Sequence, residues 1–308
     1  MAIISNIEEL AKTVKVSASM PWEVVEPFLQ SARDIYLTRY LSTTMVELME
    51  AEVPEARFDE LRPLVQKALG PLAMWMGNAE LSVRISDSGF TVEKNQERFL
   101  PASDTKIAKV EESLRTRGFH YLDKALEYLE ANAATFEEWT SSQFYTLRGR
   151  NYIRTAVQFQ ELGLVYIDYS RLGFEALRPL MTIVEDRYIT QLMGETLDAT
   201  LRASIDAPEA AEPQKLLVSA IRQLVACKVA ELHTNQPPTA KHPDYVPVIR
   251  PVFNANTDAK NFFAEQADFY TTRIRQLMIK HATELGIEAE IPAMNWNSTE
   301  NSFFCDIG

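Results

Sequence analysis

The sequence predicts a mainly α-helical protein built from two tandem related helical-bundle domains, each with a β-hairpin or extended arm. Apolar residues recur at spacings of three and four along most of the chain, which is typical of helices with one buried face. The chain also matches itself when it is shifted by 152 positions. Its 308 residues are enough for two domains that each bury a core. We therefore expect one domain at 1–150 and another at 151–308.

The internal match runs without a gap from about residue 9 to residue 76, each position pairing with the one 152 further on. Two unrelated amphipathic helices also align at some offset, because their period repeats. A single offset that carries three helical segments and a shared proline favours duplication instead. The identical pairs are Glu9/Glu161, Leu10/Leu162, Glu23/Glu175, Pro27/Pro179, Asp34/Asp186, Tyr36/Tyr188, Thr38/Thr190, Thr44/Thr196, Leu64/Leu216, Ala68/Ala220 and Leu72/Leu224.

In the first half, residues common at helix starts precede the apolar stripes. Ser5 is a suitable cap for the first helix, and Asp104 or Ser103 for the fourth. Pro21 suits the first turn of the second helix, whereas Pro27 predicts a break or kink near its start. The predicted helices cover 6–14, 21–50, 58–80, 105–131 and 135–149.

A change of pattern at 81–93 predicts a β-hairpin. The segment LSVRISDSGFTVE alternates apolar and polar residues around a turn at Asp87-Ser88-Gly89, so 81–86 and 90–93 should pair as strands. We expect an irregular arm at 94–104 after the hairpin.

The second half repeats this order, except at the hairpin. There the chain has five prolines, at 237, 238, 243, 247 and 251. Since proline removes a ladder donor, we expect an arm of short extended pieces at 237–256 and a tail at 287–308. The predicted helices cover 155–162, 172–202, 213–233 and 257–285.

Composition restricts the class of protein. The chain is 46% hydrophobic and 24% charged, as soluble globular proteins are. It has no apolar run near the roughly 20 residues that cross a bilayer, and its acidic opening is unlike a signal peptide, so we expect a cytosolic origin. A net charge of −12 argues against tight general binding of nucleic acid.

Chemistry-bearing residues form no recognisable catalytic or metal pattern. Two cysteines provide no disulfide framework, and Cys227 lies in an apolar helical stripe, as a core residue would. The pairs Glu111-Glu112 and Glu137-Glu138 are expected on solvated helix faces. We therefore expect no enzyme activity, no catalytic residue, no metal and no cofactor. The histidines are scattered at His120, His233, His242 and His281.

A basic cluster lies where the two halves meet. Arg148, Arg150 and Arg154 are the densest positive charges of the chain. We expect them to pair locally with the surplus of acidic residues, the alternative being contact with a phosphate or an acidic neighbour.

The order of elements resembles the head-to-tail adaptor family of tailed bacteriophages. Its single-domain members have an acidic, leucine-rich opening helix similar to IEELAKTV, a helix similar to FLQSARDIYLTRYLS and an apolar helix similar to LRPLVQKALGPLAMWM. The likeness covers about 1–130 and, more loosely, 155–285. As a whole, the chain also resembles uncharacterised phage structural proteins.

This resemblance implies a virion protein of the neck, assembled in the host cytoplasm. Its partners would be further copies of itself in a ring, the portal protein, and tail or neck proteins, with DNA passing through without specific binding. Twelve chains, or six chains that each supply two domains, would close the ring. No membrane is involved. The alternatives are another virion or assembly protein, such as a tail-completion or capsid-interior protein, a non-viral helical scaffold, and an enzyme whose site has no recognisable motif.

Aromatic residues in the arms are the predicted contacts with other chains, because in a monomer they would be exposed to solvent. The alternative for each is burial within its own domain. The predicted contact residues are Phe90, Phe99, Tyr245, Phe253, Trp296 and Phe303.

Overall fold

The structure is a computed structural model, and it confirms a mainly α-helical fold. Two-residue and three-residue strands are the only β-structure within the described residues. The structure describes residues 2–52, 55–81, 84–86, 89–91, 103–207, 209–235, 250–251 and 259–287.

The chain divides into two compact units. Unit 1 comprises Met1–Gly149 together with Ser170–Leu172, and unit 2 comprises Arg150–Tyr169 together with Gly173–Gly308. The division falls next to the domain boundary expected at 150, although a three-residue segment beyond it belongs to unit 1.

Unit 1 is a helical bundle with one hairpin. Its elements are α1 (Ile7–Ala11), α2 (Trp22–Ala32), a π-helical turn (Arg33–Leu37), α3 (Thr38–Leu41), α4 (Thr43–Met49), a 3-10 turn (Ala56–Phe58), α5 (Leu61–Leu81), β1 (Arg84–Ser86), β2 (Gly89–Thr91), α6 (Asp104–Ala131), a 3-10 turn (Ala133–Thr135), α7 (Glu137–Thr140) and α8 (Gln143–Arg148). The strands β1 and β2 pair antiparallel, so the predicted hairpin is present with shorter strands.

The core of unit 1 forms where α5 packs against α2 and α6. A glycine brings α5 and α6 close together, since a Cβ at Gly118 would lie 2.6 Å from Cγ of Leu72. The ring of Tyr36 meets that of Phe119 edge to face, with centroids 5.5 Å apart. Aromatic side chains therefore fill the space that α2, α5 and α6 enclose.

Unit 2 has the same kind of bundle with a different β element. Its elements are α9 (Ala156–Glu161), β3 (Val165–Tyr166), α10 (Arg171–Val184), a π-helical turn (Glu185–Ile189), α11 (Thr190–Met193), α12 (Glu195–Ser204), α13 (Glu212–Asn235), β4 (Arg250–Pro251) and α14 (Ala259–Lys280). The strand β4, from the proline-rich segment, pairs antiparallel with β3. The remainder of the predicted arm, 237–249 and 252–256, lies outside the described residues.

Both units interrupt their long helix at positions that the internal match pairs with each other. In unit 1 the N–H of Thr38 donates to the carbonyl of Arg33, and in unit 2 that of Thr190 donates to Glu185, so each helix contains one π-helical turn. Shortly beyond each turn the backbone leaves the helix: Ser42 has φ 78° and ψ 150°, and Gly194 has φ 82° and ψ 154°. That the units descend from one ancestral domain stays a prediction.

The match at the first helices needs a different offset. Asn6 caps α1 by accepting from the N–H of Glu9 at 2.9 Å, and Thr155 caps α9 by accepting from Gln158 at 3.1 Å. By this geometry the counterpart of Glu9 is Gln158, and the predicted pair Glu9/Glu161 is out of register by one helical turn. Asn6 also replaces the predicted cap Ser5, since its side chain makes the capping bond.

The helix predicted over 21–50 is not interrupted at Pro27, where a break or kink was predicted. The α-helix continues through Pro27 and is interrupted only at the π turn and Ser42. Pro27 is tolerated because the carbonyl that loses its partner belongs to Glu23, in the exposed first turn. The weaker helix predicted at 135–149 is instead a 3-10 turn followed by α7 and α8.

Candidate interaction surfaces

The first half of α6 carries an apolar stripe that the described part of unit 1 buries only in part. Ile107, Val110 and Leu114 share one side of the helix at spacings of three and four. Val110 is 54% exposed, and the other two are half-buried. Buried residues of α6 begin only at Gly118. About four turns of helix thus extend beyond the core with an apolar side uncovered.

The neighbouring helix ends in the same region. The last buried residue of α5 is Gly77, and directly after it Asn78 donates from Nδ2 to Oε1 of Glu111 on α6 at 2.7 Å. This hydrogen bond fastens the end of α5 to α6 next to the uncovered stripe. The hairpin of β1 and β2 connects the two helices, and its register places Phe90 opposite Ile85.

Other large apolar residues are exposed on both units. They are scattered over several elements, as single surface apolar residues commonly are. Only Val110 among them belongs to a run of three apolar positions that the sequence predicts to be buried. The exposed residues besides Val110 are Val24, Ile35, Tyr166, Tyr169, Ile183, Phe269 and Ile279.

The six predicted contact aromatics lie almost entirely outside the described residues. Phe90 is placed on β2 by its backbone, and nothing is described of its side chain. Their role as contacts stays a prediction. The five outside the described residues are Phe99, Tyr245, Phe253, Trp296 and Phe303.

A groove opens between α13 and α14 of unit 2. Its volume is about 270 Å³, and Phe269, 56% exposed, stands at its side. Arg273 is exposed and makes no ion pair or hydrogen bond with the described residues. The groove could not be predicted from the sequence, since its polar residues come from two separate helices. Its lining residues include Leu216, Ser219, Gln223, Phe269, Tyr270 and Arg273.

A buried ionic network lies beneath the π turn of unit 2. Tyr152 donates from its hydroxyl to Oδ1 of Asp198 at 2.5 Å and from its N–H to Oε1 of Glu185 at 2.9 Å. Arg202 joins both carboxylates, at 2.8 Å to Glu185 and 3.0 Å to Asp198. Thr190 donates to the second oxygen of Asp198 at 2.9 Å.

Burial governs the acidity of this network. It raises the pKa of Glu185 above the ordinary value, although the Tyr152 N–H and Arg202 act in the opposite direction. Burial also raises the pKa of the Tyr152 hydroxyl, as does the carboxylate of Asp198. Two carboxylates side by side are a typical acid–base pair, but here their oxygens bind the groups that hold the π turn, α12 and residue 152 together. The network therefore stabilises the fold of unit 2.

Two of the three clustered arginines pair locally, as predicted. Arg148, only 5% exposed, contacts Glu130 at 2.6 Å and lies over the ring of Phe144 at 4.9 Å. Arg154 forms an ion pair with Asp206. In each case the partner is a carboxylate of the same unit, so these two arginines form structural ion pairs.

The half-buried carboxylate of Asp123 binds the segment Ser170–Leu172, which belongs to the same unit 1. Oδ1 of Asp123 accepts from the Leu172 N–H at 2.8 Å and from the Ser170 hydroxyl at 3.0 Å, at the start of α10. Burial raises the pKa of Asp123, and these two hydrogen bonds oppose that rise. Nothing in the local sequence indicated this cap, because donor and acceptor lie far apart along the chain.

The paired glutamates also have partners within unit 1. Glu112 pairs with Arg115 at 2.9 Å, and Glu138 pairs with Arg57 at 2.7 Å. The hydrogen bond with Arg57 is the main reason why the pKa of Glu138 is lowered. These carboxylates therefore act as surface and tertiary ion pairs.

The remaining reactive residues are dispersed. Cys227 is fully buried in the core of unit 2, as predicted, and burial raises its pKa to about 12. His281 lies 2.8 Å from Glu284 and His233 is buried, while His242 lies outside the described residues. Within the described residues, no three His, Cys, Asp or Glu side chains group closely enough to hold a metal ion.

Among the helices that the structure describes, none combines the length and the apolar character that crossing a bilayer requires.

The comparisons with known proteins concern unit 1. Residues 36–149 match the model of a family of unknown function, DUF6712. The match begins inside the π turn at Tyr36 and ends where unit 1 gives way to unit 2. It includes α6 and its uncovered stripe. No curated protein and no solved structure matches the chain.

Proposed function

We propose that the protein is a virion structural subunit, a head-to-tail adaptor that forms a ring on the portal and extends the DNA channel. The observation that carries the proposal is the uncovered apolar stripe of Ile107, Val110 and Leu114 on α6. A soluble chain gains by covering such a stripe with another protein surface.

The position of the stripe suits contact between subunits. It lies on the part of α6 that extends beyond the core, next to the hairpin that carries Phe90. Fully burying one valine contributes about 1.5 kcal/mol, and a closed ring repeats the same contact at every interface. The stripe therefore adds the same contribution at every interface of a ring, together with the other contacts that the interface makes.

The order of elements supports the same assignment. Unit 1 runs from a short capped helix through a long helix, an apolar helix and a hairpin to a further long helix, and the adaptor family has this order. Unit 2 follows the same order with its own β element. Two units per chain are compatible with twelve chains or with six.

The charge of the chain suits a conduit. With a net charge of −12, the chain repels DNA. It also has few clusters of lysine and arginine that could bind phosphates and release the counterions of DNA. DNA would then pass without being held.

The test is the mass of the native assembly, measured by native mass spectrometry for the chain alone and with a portal protein. Dividing the mass of the assembly by the 35.0 kDa of one chain gives the copy number directly. We expect twelve copies or six, with closed rings in negative-stain images. A chain that stays monomeric in both conditions contradicts the proposal, and a complex without a ring favours a different virion role.

A pair of variants locates the contact. Val110→Glu places a charge on the apolar stripe, and Thr105→Glu adds the same charge on the opposite side of α6. Both positions are exposed, so each variant should fold like the parent in a thermal melt. We expect Val110→Glu to shift the population to monomers and Thr105→Glu to leave the assembly intact. Equal masses for the two variants would exclude the stripe as the contact.

A further inference from the structure

The groove between α13 and α14 of unit 2 presents an aromatic ring and a guanidinium. Phe269 is 56% exposed, and Arg273 makes no ion pair or hydrogen bond with the described residues. Such a surface suits an occupant that brings an apolar ring and a carboxylate.

The size of the groove indicates what kind of occupant fits. Its volume of about 270 Å³ is below the range of roughly 300–1,000 Å³ that small-molecule sites occupy. One or two protein side chains fit this space. A short peptide segment is therefore a suitable occupant.

The equivalent positions in unit 1 carry different side chains. Residues 67 and 121 correspond to Ser219 and Arg273, and there the ammonium of Lys67 lies over the ring of Tyr121, 5.4 Å from its centroid. Gly118 corresponds to Tyr270 and lets α5 and α6 approach closely. The guanidinium of the groove therefore has no equivalent at this place among the described residues of unit 1.

Residues 288–308 have the composition that the groove requires. They contain no lysine or arginine, and their aromatic residues are Trp296, Phe303 and Phe304. Their carboxylates are Glu288, Glu290, Glu300 and Asp306. They lie outside the described residues, so their sequence and their point of attachment carry the argument.

The attachment of this segment brings it within reach of the groove. The N–H of Ile287 donates to the carbonyl of Ala282 and that of Gly286 to Thr283, which together with φ 67° at Gly286 form a Schellman motif. Ile287 packs against the core of unit 2. From there an extended chain reaches roughly 30 Å by residue 296. Arg273 lies only about 10 Å along α14 from the helix end at Lys280.

We propose that residues 288–308 fold back onto this groove of their own chain, placing an aromatic side chain against Phe269 and a carboxylate on Arg273. The same chain is the occupant because its tether gives an effective concentration in the millimolar range, which a separate copy must match from solution. The inference does not depend on a ring. If Trp296 and Phe303 dock on their own chain, they are not contacts with other chains. The predicted contacts with other chains are then Phe90, Phe99, Tyr245 and Phe253.

Cross-linking of the full chain tests where the segment docks. Arg273→Lys keeps the charge and adds an amine that a carbodiimide joins to a nearby carboxylate, and Arg187→Lys is the matched control on an exposed arginine away from the groove. Peptide mass spectrometry should find residue 273 joined to Glu288, Glu290, Glu300 or Asp306, with residue 187 joined to none of them. Absence of the link at residue 273 overturns the proposal.

The same variant separates docking within one chain from exchange between chains. A mixture of nitrogen-15-labelled and unlabelled chains should give cross-linked peptides that are wholly heavy or wholly light. Peptides with one heavy and one light half show exchange between copies and overturn the assignment to the same chain. The mass of the native assembly is a separate measurement, so failure here leaves the proposed ring unaffected.

Thiol labelling of Cys305 provides an independent readout in solution. Cys227 is fully buried, so Cys305 is the thiol that reacts with a maleimide in the native chain. We expect Arg273→Glu to speed the labelling of Cys305 about tenfold by releasing the segment, and Arg187→Glu to leave the rate unchanged. Equal rates in the parent and both variants contradict docking at Arg273.

Discussion

Arg33 holds Glu50 with Nε 3.0 Å from both carboxylate oxygens and Nη2 2.7 Å from one of them, and the corresponding positions of unit 2 form the same pair with the charges exchanged. There the carboxylate belongs to Glu185 and the guanidinium to Arg202, at 2.8 Å. Both pairs join the first residue of a π turn to the helix that follows. The two units therefore have the same ion pair at corresponding positions, although the residue types at these positions differ.

Exchanging the charges of the unit 1 pair should preserve its stability. Arg33→Glu alone places two carboxylates together and should lower the free energy of unfolding by about 1–2 kcal/mol, since the pair is partly buried. The double variant Arg33→Glu, Glu50→Arg should recover most of this loss. Urea unfolding of the two single variants and the double variant measures the coupling. Losses that simply add would show that the pair has no net interaction.

The substitution Ser42→Gly should stabilise the protein. Its φ of 78° with ψ of 150° lies in a region that only glycine adopts readily, and the counterpart in unit 2 is Gly194. Ser42→Gly loses the capping bond to the Met45 N–H and the hydrogen bond that the Ser42 hydroxyl donates to the Glu138 carbonyl at 3.2 Å, which together cost about 1 kcal/mol, and it relieves strain of order 1–3 kcal/mol. Thermal unfolding should therefore shift upward.

The reciprocal change in unit 2 is the control. Gly194→Ala meets no atom within 4 Å, so its cost is that of the backbone alone. It should lower the free energy of unfolding by about 1–3 kcal/mol. An unchanged melting temperature for Gly194→Ala would contradict the strain assigned to Ser42.

Gly118→Ala should weaken unit 1 by separating α5 from α6. The new Cβ would lie 2.6 Å from Cγ of Leu72 and 3.3 Å from the carbonyl of Ala68, which forces a shift of one helix. Overpacking of this kind costs about 1–3 kcal/mol. Gly149→Ala, whose Cβ approaches no atom closer than 3.6 Å, is the matched control and should be nearly neutral. Equal effects of the two changes on urea unfolding would mean that α5 and α6 are not tightly packed there.

Stability should depend on pH through Glu185. Burial raises the pKa of its carboxyl in the folded state above the ordinary value of 4.5, so the folded chain binds the proton more readily than the unfolded one. This contribution is complete below pH 4.5 and is lost as the pH rises through the folded pKa. The free energy of unfolding of the parent minus that of Glu185→Gln should therefore fall as the pH rises from 4.5 towards neutrality. A difference that is constant or rises with pH would contradict the raised pKa.

The helices could be predicted from the spacing of apolar residues. The helix expected at 58–80 is Leu61–Leu81, and the one expected at 105–131 is Asp104–Ala131. These long helices bury one side over most of their length, so their period is strong. Their ends were accurate to within a few residues because a cap or a change of pattern lay nearby.

The interruptions of the long helices could not be predicted in the same way. A π turn changes hydrogen bonding by one residue without any residue type that marks it. Glycine is expected at a positive φ, but serine is not. The sequence therefore indicates the helix break at Gly194 and does not indicate the one at Ser42. The hydrogen bond that the Tyr152 hydroxyl donates to Asp198 joins distant residues and depends on the finished fold.

The candidate surface was predicted only as a pattern. Periodicity identified Ile107, Val110 and Leu114 as one apolar side of a helix, but it does not state whether the same chain covers that side. The structure leaves Val110 exposed because the buried residues of α5 end at Gly77 and those of α6 begin only at Gly118. Periodicity thus located the stripe, and burial identified it as a surface.

The π turn in each long helix implies an asymmetry between gaining and losing a residue there. Each π turn holds one more residue than an α-helical turn does, so removing one residue from Arg33–Leu37 would restore regular winding and leave the following residues on nearly the same side of the helix. Tyr40, whose carbonyl accepts from the indole N–H of Trp139 at 3.1 Å, would keep facing this partner. A one-codon deletion within either turn should thus be far less damaging than one elsewhere in the long helix, which would rotate everything after it by about 100°.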